Sequence, residues 1–243
     1  MENYLDVVIG LLKTVRDTQS EGIEQAAQKI AAAIQEDHLL YVFGASHAGI
    51  LAQELFYRAG GLVPVNPIFA PGLTTDVRPV TLTSRLERLP GFGSQVLEET
   101  PITAGDVLIV HSVSGRNAAA VEVAQGAKTR GAYVITLTSL AYSRSVQPRQ
   151  AGMPRLFEVA DLVLDNCAPV GDALVELPGL QQRVAPCSTV LGAAILNAVV
   201  ARAAGLIFEK TGDTPVFLSA NLDGGDEHNR RWLDFYSGRL TYL

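Results

Sequence analysis

Residues 106–122 read DVLIVHSVSGRNAAAVE, and the change of pattern within this stretch decides the fold. Asp106 to Val110 is a short apolar run rich in β-branched residues, as in a strand covered on both faces of a parallel sheet. His111 ends the run, and Ser112, Val113, Ser114 and Gly115 make a small, hydroxyl-rich turn. Beyond Asn117 the alanine-rich segment Ala118 to Thr129 favours helix. Strand, polar turn and helix in that order place unpaired N–H groups and serine hydroxyls at the positive end of a helix dipole. Such a turn suits a phosphate or another anion. The same residues permit a plainer role, in which Ser114 or Asn117 only caps the helix.

A second junction of this kind lies upstream. His38 to Phe43 predicts a strand, Gly44 to Gly49 a turn of small residues, and Ile50 to about Ala59 a helix. Small residues let the backbone approach a ligand closely, and Ser46 and His47 fall at the helix N-terminus. Gly44 and Gly49 lack dinucleotide spacing, so no nucleotide cofactor is expected. On the following helix Glu54 and Arg58 stand four apart. They read either as a surface ion pair or, if Glu54 faces the turn, as a carboxylate available as a base.

The remaining chain completes an α/β pattern. Glu2–Asp17 and Gly22–Gln35 carry apolar residues at helical spacing and read as a pair of helices. Leu11 and Val15 widen the first stripe, which serves either the core or a second subunit, and a homodimer or larger assembly is expected. Gly60–Ile68 reads as a strand interrupted by Pro64 and Pro67, and Ala70–Glu98 as a long lid or binding loop. Tyr133–Leu137 is a further buried strand, which puts Ser139 near the crevice of Ser112 and Ser46, or makes it a turn residue. Arg144, Arg149 and Arg155 lie in a polar connection, as a basic rim or as solvated charges. Leu156–Leu164 contains another strand and Asp165–Leu180 a loop or hairpin, and Val190–Glu209 reads as a buried helix capped by Ser188 or Thr189.

With 243 residues, 48% of them hydrophobic, the chain can bury a full core as a single domain. A net charge of −6 offers no diffuse basic field for nucleic acid, so any anion must be held by local groups. Cys167 and Cys187 lack metal spacing and no signal peptide is visible, which points to the cytoplasm. No uninterrupted apolar run reaches membrane-span length, so no membrane partner is expected. In the tail, from about residue 215, Asp223, Asp226, Glu227, His228 and Asn229 surround a Gly-Gly turn. They read as proton-transfer groups, as metal ligands or as a solvated charged turn; no second His or Cys stands at ligand spacing, and no metal site is expected. Trp232, Phe235, Tyr236 and Leu243 indicate that the tail packs on the rest of the chain.

Four segments, GASHAGILAQELFYRAGG, HSVSGRNAAAVE, APCSTVLGAAILN and SANLDGGDEHN, resemble the sugar isomerase (SIS) domain proteins, in particular the UPF0309 group, over the whole chain. The resemblance implies a three-layer α/β/α sandwich with a five-stranded parallel sheet, flavodoxin-like or Rossmann-like. It implies a phosphosugar ligand and a homodimer or homotetramer with sites at subunit interfaces. It also implies phosphate contacts from Ser112, Ser114, Gly115 and Asn117, with Ser139 and Ser188 as further candidates. Relatives commonly read Gly-x-Gly-His-Ser in the first turn; this chain has Gly44-Ala45-Ser46-His47-Ala48, so either Ser46 supplies the hydroxyl from two positions earlier or the ligand is held mainly by the second turn. By analogy with phosphoheptose isomerases, Glu54 would be the base of a metal-independent aldose–ketose isomerisation and His228 or His47 the proton shuttle. Two other readings stand beside it. Ser114-Gly115-Arg116 resembles the Ser-Gly-Arg of N-acetylmuramic acid 6-phosphate etherases, and a non-catalytic phosphosugar sensor would need the same loops.

Overall fold

The structure, a computed structural model, describes residues 3–242. Glu2 at the start of the first expected helix and Leu243 at the end of the tail lie outside them. In chain order the elements are α1 (Tyr4–Gln35), β1 (Leu40–Gly44), α2 (Ile50–Leu55), β2 (Val65–Ile68), α3 (Thr81–Leu86), α4 (Phe92–Glu98), β3 (Val107–His111) and α5 (Ala118–Thr129). There follow β4 (Tyr133–Thr138), α6 (Leu140–Ser145), α7 (Leu156–Val159), β5 (Leu162–Asp165), β6 (Ala173–Val175), β7 (Val184–Pro186), α8 (Ser188–Thr211) and α9 (Gly225–Phe235).

β1 to β5 form one parallel sheet in the order β2-β1-β3-β4-β5, flanked by helices, as expected. The alternation of side chains along each strand divides the core in two. Leu40, Val42, Val107, Ile109, Ile135 and Leu137 face α1, α2 and α8. Tyr41, Phe43, Leu108, Val110 and Val134 face α4, α5 and α7 together with Trp232, Tyr236 and Leu240 of the tail. β2 contains Pro67, which a strand tolerates at a sheet edge, where β2 lies.

The two expected N-terminal helices are one continuous helix, α1. Thr18 and Ser20 bond back to the carbonyls of Thr14 and Arg16 and do not interrupt it. Gly22 serves packing instead: a Cβ there would lie 3.1 Å from Leu164 Cδ2 on β5. α2 is shorter than expected because Phe56 leaves the helix to pack on Phe69 and Tyr242, and Tyr57 packs on Phe217. The expected loop Ala70–Glu98 contains α3 and α4. Glu122 on α5 holds α4, its carboxylate accepting the N–H groups of Gly91 and Gly93 at 2.8 and 2.9 Å. By length and composition α8 could cross a bilayer, yet Leu191, Ile195, Leu196, Val199 and Ala203 are buried against the sheet and α1. It is a core helix.

Candidate functional site

In this strand order the chain leaves β1 toward β2 on one side and β3 toward β4 on the other. This switch point lies at the carboxyl ends of β1 and β3, which carry turns 45–49 and 112–117, and it is where open α/β sheets have their ligand crevice as a rule.

The second turn is pinned from behind. Ser112 N–H donates to Leu137 O at 3.1 Å, and the Thr138 hydroxyl donates to Ser112 O at 2.7 Å. Gly115 has φ +57°, a conformation that favours glycine, and a Cβ there would press on its neighbours at 3.1 Å from Ser143 Oγ and 3.2 Å from Leu156 Cβ. With the rear so fixed, the front stays unengaged. Among the described residues the hydroxyls of Ser112 and Ser114 and the N–H groups of Ser114, Gly115, Arg116 and Asn117 have no protein partner. Asn117 stands at the N-cap of α5 without capping it; its Oδ1 instead accepts from Arg149 Nε at 2.9 Å. Ser114 makes no cap bond either, so the plain capping role is not realised.

The first turn is tight. A Cβ on Gly44 would lie 2.5 Å from the Ala48 carbonyl carbon and 2.8 Å from Gly49 N. Ser46 has φ +57°, the left-handed conformation that glycine adopts most easily, and its N–H donates to Leu73 O at 2.7 Å. Its hydroxyl has no partner among the described residues, and His47 beside it is exposed. His111 joins the two turns: from the end of β3 its buried Nδ1 donates to Ala48 O at 3.1 Å. Burial pushes this imidazole down to about 4, against the bond to Ala48 and the nearby Asp172 charge, so it is neutral at pH 7. Its Nε2 is buried without a partner among the described residues.

The structure brings Ser46, His47, Ser112, Ser114, Gly115 and Asn117 to this crevice and removes other candidates. Ser139 is fully buried; its hydroxyl donates to Ala168 O at 2.6 Å and accepts from Tyr142 N–H, which makes it the cap of α6 and not a ligand contact. Ser188 neither caps α8 nor faces a ligand, because Asp172 accepts from its N–H and its hydroxyl, both at 2.7 Å, and from Cys187 N–H. His228 is not brought to the turns of its own chain. Its Nε2 bonds to Val216 O at 2.9 Å, and Val216 pairs with Leu62, before the amino end of β2. The acidic residues beside it are likewise a solvated opening turn: Asp226 and Glu227 lie exposed in the first turn of α9, where the helix dipole favours them. Glu54 is half-buried near the end of α2, where it pairs with Arg58, as the four-residue spacing allows, and accepts from Asn197 Nδ2 at 2.9 Å. His111, Thr138, Asp172 and Glu87 escaped sequence reasoning. Only His111, at the apolar-to-polar break, carried a local signal.

Residues 3–139 match the SIS domain family. The chain belongs to that family. Within it the chain is a UPF0309 protein: one from Shouchella clausii is 46% identical over 100% of this chain and 99% of its own length. Another, from Oceanobacillus iheyensis, is 44% identical over the same shares of both chains. Among solved structures, a phosphoheptose isomerase from Francisella tularensis superposes with TM-score 0.56 at 15% identity, covering 82% of this SIS domain protein and 94% of that chain. A phosphoheptose isomerase from Neisseria gonorrhoeae gives 0.54 at 17% identity, with 82% and 94% covered. At these identities what is shared is the fold.

Proposed function

We propose that this protein binds a phosphorylated sugar with its phosphate seated on turn 112–117, and that it acts on that sugar as a metal-independent aldose–ketose isomerase. The observation that carries the reading is the set of unengaged donors on a turn braced from behind, with Ser46 and His47 on the turn that follows the neighbouring strand β1. A dianionic phosphate accepts several such N–H and O–H groups at once, and the dipole of α5 adds to their pull. The resemblance to phosphosugar isomerases in fold supports the same ligand class.

Isomerisation removes a proton from the carbon beside the carbonyl, passes through an enediol and returns the proton to the neighbouring carbon, while a second group moves a proton between the two oxygens. His47, exposed in the crevice, is the proposed shuttle, and Glu54 the proposed base, released from Arg58 and Asn197 when sugar binds. A binding protein without turnover is the second reading, favoured by the engagement of Glu54 in this structure. The oligomeric site that the family resemblance suggests is also a proposal; Leu5 and Ile9 of α1, exposed, would lie in such a contact.

A thermal-shift screen against hexose, heptose, amino-sugar and N-acetylmuramic acid phosphates, each beside its unphosphorylated parent, tests the binding claim. One phosphorylated member should raise the melting temperature where its parent does not, and Ser114→Ala should lose most of that shift. No shift with any phosphate would refute the reading. Solvent-deuterium incorporation into the bound sugar then separates enzyme from binder. It should occur with the wild type and fall by about 10²-fold or more in Glu54→Gln. Unchanged exchange in that variant would remove Glu54 as the base.

A further inference from the structure

Beside the second turn three arginines gather on an otherwise acidic chain: Arg88 after α3, Arg116 within the turn and Arg149 after α6. Among the described residues none of them forms a salt bridge, which is true as well of Arg78, Arg85, Arg130, Arg144 and Arg230; what sets these three apart is their grouping at the turn. Arg149 is fixed over the start of α5, donating from Nε to Asn117 Oδ1 at 2.9 Å and from its backbone N–H to Arg116 O at 3.2 Å. Arg116 Nε is buried with no partner among the described residues. Loss of water, then repulsion from Arg88 and Arg116, holds the Arg149 guanidinium below its ordinary value. One carboxyl, Glu87, lies among them beside Asn117; burial raises it, while the charges of Arg88 and Arg149 act against that shift. The backbone of the same residue covers the flank of the site, Glu87 O accepting from Ala119 N–H at 3.1 Å.

Three guanidiniums gathered around one carboxyl and a row of unengaged N–H groups form a receptor for an anion of high charge. We propose that Arg88, Arg116 and Arg149 close on the phosphate seated at turn 112–117, so that the site selects a terminal phosphate monoester over a phosphodiester or a sugar nucleotide. This rests on the phosphosugar reading above. A monoester dianion presents three terminal oxygens, enough to take the turn N–H groups and two guanidinium forks together. A diester has one charge and two terminal oxygens, and its second substituent would meet the covering segment at Glu87.

The test uses the full chain with methyl phosphate and dimethyl phosphate as probes, in Arg88→Gln, Arg149→Gln, Arg149→Lys and Ser114→Ala, read by calorimetric titration. Arg88 and Arg149 are exposed, and an unchanged melting temperature without ligand shows that their variants fold. Methyl phosphate should bind the wild type at least tenfold more tightly than dimethyl phosphate. Each glutamine variant should lose about tenfold of that affinity, and Arg149→Lys should fall between Arg149→Gln and the wild type. Methyl phosphate binding that Ser114→Ala weakens while both glutamine variants retain it would overturn the arginine assignment and leave the phosphosugar reading intact. Equal binding of the two probes would overturn the claimed selectivity. Absence of methyl phosphate binding in the wild type, with sugar phosphates inactive as well, would remove both.

Discussion

Lowering the pH should weaken this fold in part through His111. Its imidazole titrates near 4 in the folded chain and at the ordinary value of 6.5 when unfolded. Because the folded value is the lower one, the contribution of His111 is complete above pH 6.5. It shrinks as the pH falls from 6.5 toward 4, where the unfolded chain binds a proton that the folded chain refuses. At about 1.4 kcal/mol per pH unit this gap amounts to about 3 kcal/mol, a large part of a typical domain's stability. Carboxylates also titrate in this range, so the comparison is with His111→Asn, whose amide N–H can replace the Nδ1 donor to Ala48 O but does not ionise. Urea unfolding at pH 7.5, 6.5, 5.5 and 4.5 should show the wild type losing about 2–3 kcal/mol more than the variant across that span, at up to about 1.4 kcal/mol per pH unit. Parallel curves for the two proteins would show that His111 takes up its proton in the folded state as readily as in the unfolded one, and would refute the burial argument.

Two further substitutions probe the scaffold beneath the crevice. Gly44→Ala would drive a Cβ into the backbone at Ala48 and Gly49, costing on the order of 3 kcal/mol and lowering the melting temperature by roughly 6–12 °C; a change under about 2 °C would mean that the first turn is not packed this way. Glu122→Ala leaves the N–H groups of Gly91 and Gly93 without their acceptor, at about 1–3 kcal/mol, and should speed hydrogen exchange selectively across 91–98; unchanged protection there would contradict the role of Glu122 in holding α4.

What could be read from the sequence was local. The strand expected over Asp106–Val110, the turn after it and the alanine-rich helix are each defined by neighbours in the chain, and the structure has them, with the strand at Val107–His111. Errors arose where a distant partner decides. The break expected near Gly22 vanished because that glycine makes room for Leu164, on a strand more than a hundred residues later. By residue type Ser188 or Thr189 should cap α8, but a carboxylate just before the preceding hairpin, Asp172, accepts the N–H groups of Cys187 and Ser188 instead. His228 stands in a cluster rich in proton-transfer groups by residue type, and its ring is engaged by Val216 O because the tail runs along the β2 edge.

The same distinction sorts the hydroxyls of the crevice, where residue type alone could not. Ser139, Ser143, Thr138 and Ser188 are buried and each bonds within the protein, to Ala168 O, to one another or to Asp172. Ser46, Ser112 and Ser114 are partly exposed and their hydroxyls have no such partner among the described residues. A turn needing only rigidity would gain from engaging those three as well, since each intramolecular hydrogen bond contributes about 1 kcal/mol. Here the bonded hydroxyls lie behind the turns and the unbonded ones in front, on either side of one crevice. Ser46, moreover, holds a left-handed backbone conformation that a serine adopts at some cost. That arrangement favours a ligand over stability as the reason for serine at 46, 112 and 114. Replacing all three by alanine should therefore abolish phosphate binding while moving the melting temperature little.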